Sequence, residues 1–320
     1  MAKSASSSAW GATFALGLFV SSVGFQPPDP PRQRAAVYST YRTNDNFSQS
    51  DKKLLRRHCS VLKVTDDKVV WPVHAPGAAL GPTRYVVRNG YALEHSSEFR
   101  YSLWVCAHLT RRELKDASGR LKPEPFAPDP ELDNWPRSQL ADYKGSKFAR
   151  GHLTPDADHP QKRKADTYFL SNMVPQASNK FNSSVWKSME EKVRAWAGDR
   201  GECWVITGAF VHDPAEDDVA QADGLVEYFT VGAGAVGVPT HLYKIIVAPR
   251  LDDPKKLESL AFVMENRSYD KGYDLTDYLF SIDWIEQRTG LNFMPDLTPS
   301  QEAELESVEA DELWKLHDDD

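Results

Sequence analysis

Apolar positions follow two rhythms along this chain. Short runs rich in aromatic and β-branched residues, bounded by Gly and Pro, mark strands at residues 99–110 (FRYSLWVCAHLT), 204–210 (WVITGAF), 227–231, 241–247 (HLYKIIV) and 261–264. Residues 64–88 hold shorter pieces of the same kind, KVVWPV and TRYVVRNG, read as strands joined by turns. A helical rhythm runs through residues 275–290 (LTDYLFSIDWIEQRTG), with Leu275, Leu279, Ile282 and Ile285 on one side and Gly290 as the stop. It recurs in residues 182–196 (NSSVWKSMEEKVRAW), where Val185, Trp186, Met189, Val193 and Trp196 fall within about a third of the helix circumference. Residues 51–62 (DKKLLRRHCSVL) predict a basic helix. The chain has no internal repeat, heptad seam or zinc-finger spacing, and no βαβ alternation. This pattern predicts an α+β fold with a central antiparallel β-sheet and flanking helices.

The ends of the chain read differently. Residues 10–25 (WGATFALGLFVSSVGF) are uncharged and largely apolar. They are shorter than the roughly 20 residues a spanning helix needs. With Lys3 upstream and small residues at Ser22-Val23-Gly24, residues 1–25 suit a signal peptide or an N-terminal anchor. Secretion or a periplasmic address is the first expectation; a membrane-anchored or mitochondrial form is the alternative. Residues 26–35 form a Pro-rich linker, residues 36–300 the folded domain, and residues 301–320 an acidic C-terminal tail.

Composition changes this picture little. Apolar residues make up 41% and charged residues 26%, which argues against wholesale disorder. The net charge of −8 does not suit a surface that binds nucleic acid everywhere, but a local basic groove suffices for steering. Cys59, Cys106 and Cys203 lie far apart without zinc-ligand spacing. An odd count leaves room for one disulfide or none.

The chemistry concentrates in residues 147–196. Cleaving a phosphodiester needs a base for the attacking water, positive charge on the phosphate and help for the leaving oxygen. His152 suits the first task, because imidazole titrates near neutrality. Arg150 offers a fork of donors fitted to phosphate, and Gly151 allows close backbone approach. Asn172 ends a strand-like run (TYFLSNMVPQ) and is read as facing a metal site, there to orient a ligand or a water. Asn182 opens the amphipathic helix as a hard oxygen ligand, and Glu190 is poised near the metal's waters. Magnesium, which keeps several waters and takes few protein oxygens, fits this set; zinc would want Cys or several His. Each signal also has a plain structural reading: a basic surface turn, an Asn starting a turn, an N-capping Asn182, and a Glu190–Arg194 surface pair at i,i+4.

Taken together, these residues resemble the DNA/RNA non-specific endonuclease family. That family includes mitochondrial endonuclease G, its exo/endonuclease relative and secreted bacterial sugar-non-specific nucleases. The likeness spans residues 101–297 and rests on RGHL at 150–153, FLSNMVPQ at 169–176, and N-x3-W-x3-E-x3-R at Asn182, Trp186, Glu190 and Arg194. WVITGAF and VPTHLYKII add to it. The resemblance implies a ββα-metal catalytic unit and a hydrolase that cleaves DNA and RNA with Mg²⁺, for which Mn²⁺ can substitute. It implies His152 as general base, Asn182 as direct metal ligand, Glu190 on metal-bound water, and Asn172 as support for the histidine and substrate side. Arg150 and Arg194 would contact phosphate, and Arg120 (in SGRLKPEPF) would add a further phosphate contact. Members are often homodimers. One departure stands out: the family motif carries Asp before Arg-Gly-His, and here that position is Ala149. The exo/endonuclease branch also lacks Asp there. The alternative reading is a catalytically weakened homologue that still binds nucleic acid.

Overall fold

The computed structural model describes residues 47–316 apart from 62–68, 77, 79, 118 and 215–225. The leader and linker expected over residues 1–35 lie outside the described residues.

In chain order the strands are β1 (Val73–His74), β2 (Thr83–Val87), β3 (Ala92–Ser96), β4 (Ser102–Thr110), β5 (Phe148–His152), β6 (Met173–Ala177), β7 (Glu202–Phe210), β8 (Phe229–Val231), β9 (Val236–Val238), β10 (His241–Pro249), β11 (Leu257–Glu265), β12 (Leu279–Phe280) and β13 (Leu291–Asn292). The helices are α1 (Gln49–Cys59), α2 (Arg111–Lys115), α3 (Trp186–Arg200), α4 (Ile282–Thr289) and α5 (Pro299–Leu305). Seven strands form one antiparallel sheet in the order β12-β11-β10-β7-β4-β3-β2. The α+β expectation with a central antiparallel sheet holds.

Strand periodicity builds two cores, one on each face of this sheet. Val105, Ala107 and Leu109 of β4, Val205 and Ala209 of β7, and Leu242 and Ile246 of β10 join α3's Trp186, Met189, Val193 and Trp196 on one side. Trp104 and Cys106, Ile206 and Phe210, and Tyr243 and Ile245 alternate onto the other side. There they meet Leu55 and Cys59 of α1, Ile282 and Ile285 of α4, and Leu305 of α5. The sheet is therefore covered on both faces, which explains why its strands read as near-continuous apolar runs. All three cysteines are buried and free.

Several boundaries differ from the sequence reading. Residues 275–290 are not one helix. A 3₁₀ turn (Leu275–Tyr278) leads into β12, where Leu279 and Phe280 pair with β11. Helix α4 starts afresh because Ser281 caps it, accepting from Trp284 N at 3.2 Å. Gly290 ends it as expected, in the left-handed conformation at φ 67°. Among the described residues of the KVVWPV run only Val73 enters a strand, pairing with Asn292. The YFLSN run is 3₁₀ on either side of Phe169, which makes an isolated bridge to Ala127, and the strand begins at Met173. Strand β3 was hidden by its Glu94-His95-Ser96 ending, all three residues being buried.

The C-terminal residues pack onto the domain. Helix α5 straddles position 300, and Trp196 Nε1 donates to Trp314 O at 2.9 Å. The Arg200 guanidinium sits 4.3 Å from the centre of the Trp314 ring.

Candidate active site

Strand β5 carries the Arg150-Gly151-His152 triplet and pairs with β6 alone, His152 opposite Met173 and Ala149 opposite Gln176. A two-stranded ribbon tolerates Pro175, which could not donate to a central ladder. From β6 the chain turns at once into a π-helical segment (Ser178–Val185) continuous with α3. This is a ββα unit, with both strands ahead of one amphipathic helix.

Gly151 is required by packing within this hairpin. A Cβ there would lie 2.1 Å from Gln176 Cδ, so the Gln176 side chain fills the space that Gly151 leaves. The glycine serves the fit of the hairpin, a cause the sequence reading had assigned to substrate approach.

His152 is buried, its ring edge-on to Tyr168 at 5.1 Å and tilted against Phe126 at 5.8 Å. Its Nε2 has no hydrogen-bond partner among the described residues. Burial lowers its pKa to about 4; the Asp156 carboxylate opposes this, while the Arg120 and Arg150 guanidiniums add to it. The imidazole is therefore neutral at pH 7 and able to accept a proton. Phe126 separates it from a cleft of about 500 Å³ lined by Arg120, Phe126, Arg150 and Asn182 among others. Arg150 stacks 4.1 Å above the Phe126 ring centre, and Arg120 pairs with Glu124 at 2.8 Å. The cleft thus gathers three cations (Arg120, Lys144 and Arg150), the Glu124 carboxylate and one carboxamide beside a neutral histidine.

Asn182 lies inside the π-helical segment, four residues after its start, so it is not the N-cap that the plain reading allowed. Its side chain makes no hydrogen bond among the described residues, and it faces the cleft. The wider i→i+5 turn of a π-helix is a recurrent feature of functional sites.

Asn172 occupies a different place. It is fully buried, and its amide is spent on backbone: Oδ1 accepts from Thr154 N at 3.0 Å, while Nδ2 donates to Thr154 O and Thr167 O, each at 2.8 Å. It closes the loop that follows His152 and leaves no donor for a metal or its water.

Glu190 and Arg194 lie two and three turns along the helix, in a second polar cluster. The expected Glu190–Arg194 pair is replaced by Arg194 Nη1 bonding Asp158 Oδ1 at 2.9 Å. The Glu190 carboxylate has no hydrogen bond or ion pair among the described residues. Burial pushes it up to about 8, with the nearby Lys244 opposing the shift. Burial likewise lowers the Lys244 ammonium, whose Nζ donates to Thr207 Oγ1 at 2.7 Å on the facing strand. Asp156 joins the two clusters: its charge is felt at His152 and at Glu190, and it accepts from Tyr168 Oη at 2.7 Å.

Asn182 and Glu190 on one helix carry hard oxygens with no hydrogen bond among the described residues, and His152 adds one unpartnered ring nitrogen. That fits a hydrated Mg²⁺-like cation better than one needing thiolate or several imidazoles. Sequence reasoning missed Phe126, Tyr168, Asp156, Asp158 and Lys244. The signals were present: Lys244 is a lone charge in an apolar strand, and Asp156 and Asp158 follow soon after His152.

A ββα hairpin-and-helix unit with a neutral histidine beside a cleft lined by Arg120, Arg150 and Asn182 has the parts of a metal-dependent phosphodiesterase. Residues 72–300 match the family model described as DNA/RNA non-specific endonuclease, and the chain belongs to that family. It is a nuclease and a hydrolase. It is 33% identical to nuclease C1 of Cunninghamella echinulata var. echinulata over 220 residues, 68% of this chain and 84% of the relative. It is 31% identical to the mitochondrial endonuclease G of Homo sapiens over 212 residues, 66% of this chain and 69% of the relative. Among solved structures, an EndoG/EndoGI complex described as showing the mechanism of EndoG inhibition matches with a TM-score of 0.61 and 30% identity, covering 69% of this chain and 90% of that one.

Proposed function

We propose that this chain is a Mg²⁺-dependent nuclease that hydrolyses phosphodiester bonds in both DNA and RNA, with His152 as general base. The observation that carries this reading is the buried, neutral imidazole of His152, its Nε2 unpartnered beside a cleft lined by Arg120, Arg150 and Asn182. His152 takes the proton of the attacking water. Arg150 and Arg120 bind the phosphate oxygens, Arg150 held flat against Phe126 so that little side-chain freedom is lost on binding. Glu190 would hold water in the shell of a cation, and Asn182 would hold that cation directly. When bound, it supplies positive charge against the charge that develops as the ester breaks. Arg194 neutralises Asp158, which leaves Glu190 free of a helical partner, and the other donors of its fork remain for phosphate.

The mitochondrial name of the human relative supports the mitochondrial alternative for the leader over residues 1–25. A reporter fused to residues 1–40 tests this address: accumulation in the medium would reject it.

The central experiment incubates the protein with supercoiled plasmid and with RNA, with and without Mg²⁺. Both substrates are cut only with the metal, and His152→Ala slows cleavage by roughly 10²–10⁴-fold. Near-wild-type cleavage by that variant would sink the proposal. Retarded DNA with no strand breaks in the wild type would instead favour the weakened homologue that Ala149 suggests.

A further inference from the structure

Far from the hairpin, on the sheet face covered by α4 and α5, three carboxylates converge. Asp283 and Glu286 project from α4, and Glu306 follows the last turn of α5. One oxygen from each lies within 4.8 Å of the others. No Lys or Arg pairs with any of them among the described residues. The charged groups felt at Glu306 are all acidic: Glu286, Glu302, Asp283 and Asp296.

Glu306 is the telling member. It is 3% exposed, and its Oε1 is buried without a hydrogen-bond partner. An unpaired carboxylate oxygen aimed into a nest of other carboxylates is costly unless something positive sits there. The other two groups are held in place from outside the nest. Ser307 Oγ donates to Asp283 Oδ2 at 2.7 Å, and Phe293 N donates to Glu286 Oε1 at 2.7 Å, so each keeps a second oxygen for the centre. The backbone locks the two segments together, Asp283 N donating to Glu306 O at 3.0 Å.

We propose that Asp283, Glu286 and Glu306 form a structural site for a hard divalent cation, Ca²⁺, that staples the C-terminal segment to α4. The donors are all oxygen, which excludes softer metals as the preferred occupant. Ca²⁺ takes several carboxylates in flexible geometry, whereas Mg²⁺ demands near-ideal octahedral geometry and keeps most of its waters. The half-buried Asp283 and Glu286 leave an open side for the waters that complete the shell.

The test uses the full chain carrying Asn182→Ala, which weakens the divalent binding proposed at the cleft at least tenfold, and reads the remaining response against the same chain with a change in the nest. Millimolar CaCl₂ raises its melting temperature by about 5 °C and gives one binding event by calorimetry. Adding Glu306→Gln abolishes both responses. Asp283→Asn is the second variant if Glu306→Gln fails to fold. In the otherwise native chain, Glu306→Gln leaves plasmid cleavage with Mg²⁺ unchanged. No response to Ca²⁺, an equal response in the Glu306→Gln protein, or a larger response to MgCl₂ than to CaCl₂ would each overturn the assignment.

Discussion

The side-chain amide of Asn172 grips both backbone groups of Thr154, accepting from its N–H at 3.0 Å and donating to its carbonyl at 2.8 Å. An amide used this way mimics one rung of a β-ladder and extends the β5–β6 pairing two residues beyond His152. Replacing it by Ala would orphan the Thr154 N–H and two carbonyls in a dry site. The expected cost is about 2–4 kcal/mol in urea unfolding, with a fall in kcat larger than any rise in KM. Unfolding midpoints that coincide would show that the clamp stabilises nothing.

Gly151 and Gln176 make a sharper test, because the contact is steric. Gly151→Ala pushes a methyl group onto Gln176, whose amide is buried with both polar atoms unpartnered. The variant loses about 1–3 kcal/mol. Shortening the opposing side chain in Gly151→Ala/Gln176→Ala relieves the clash, so the cycle shows a coupling above about 0.5 kcal/mol. Strict additivity would mean the hairpin relaxes elsewhere.

His58 gives a pH signature away from the cleft. Burial lowers its pKa from 6.5 to about 3, with Nε2 in contact with Arg88 O at 3.2 Å. The unfolded chain takes up a proton below pH 6.5 that the folded chain refuses until about pH 3. Its contribution is therefore complete above pH 6.5 and is lost as pH falls through that window. Near pH 5 this one residue adds about 1.4 kcal/mol per pH unit to the slope of stability against pH. His58→Gln should flatten the slope by that amount, read from denaturant melts between pH 4 and 6; an unchanged slope would place the imidazole in water.

The sequence carried the central sheet because β4, β7 and β10 are long, apolar and covered on both faces. It carried the chemistry as residue types: Arg150, His152 and Asn182 do line or adjoin one cleft. It did not carry the partners. The Glu190–Arg194 spacing is favourable on an isolated helix, yet Asp158 reaches Arg194 from a 3₁₀ turn thirty-six residues away and takes the pair. Asn172 read as a strand end facing a metal site, because its bonds to the Thr154 and Thr167 backbone come from tertiary packing that local pattern does not carry. The split of residues 275–290 followed from one serine, whose capping bond outweighed an unbroken apolar spacing.

The Arg194–Asp158 pair can be dissected by charge. Asp158 is 6% exposed, and burial already raises its pKa. Arg194→Met strands that carboxylate and should cost about 3–5 kcal/mol, as breaking a buried pair does. Removing both charges in Arg194→Met/Asp158→Leu should recover most of the loss. Cleavage should not recover with it, since Arg194 is also proposed to offer donors to phosphate. Full recovery of activity in the double variant would restrict Arg194 to holding the fold.

Asn182 separates metal binding from folding. Its amide makes no hydrogen bond among the described residues, so Asn182→Ala should leave the melting temperature of the metal-free protein within about 2 °C of wild type. The Mg²⁺ concentration for half-maximal plasmid cleavage should rise at least tenfold. Asn182→Asp keeps a hard oxygen and adds a charge, which tightens binding of Mg²⁺ and slows its exchange. Its half-saturation should therefore move the opposite way, and EDTA should stop all three proteins. A titration in which the Ala and Asp variants follow the wild-type curve would take Asn182 out of the metal site and leave Glu190 as the sole oxygen donor on that helix.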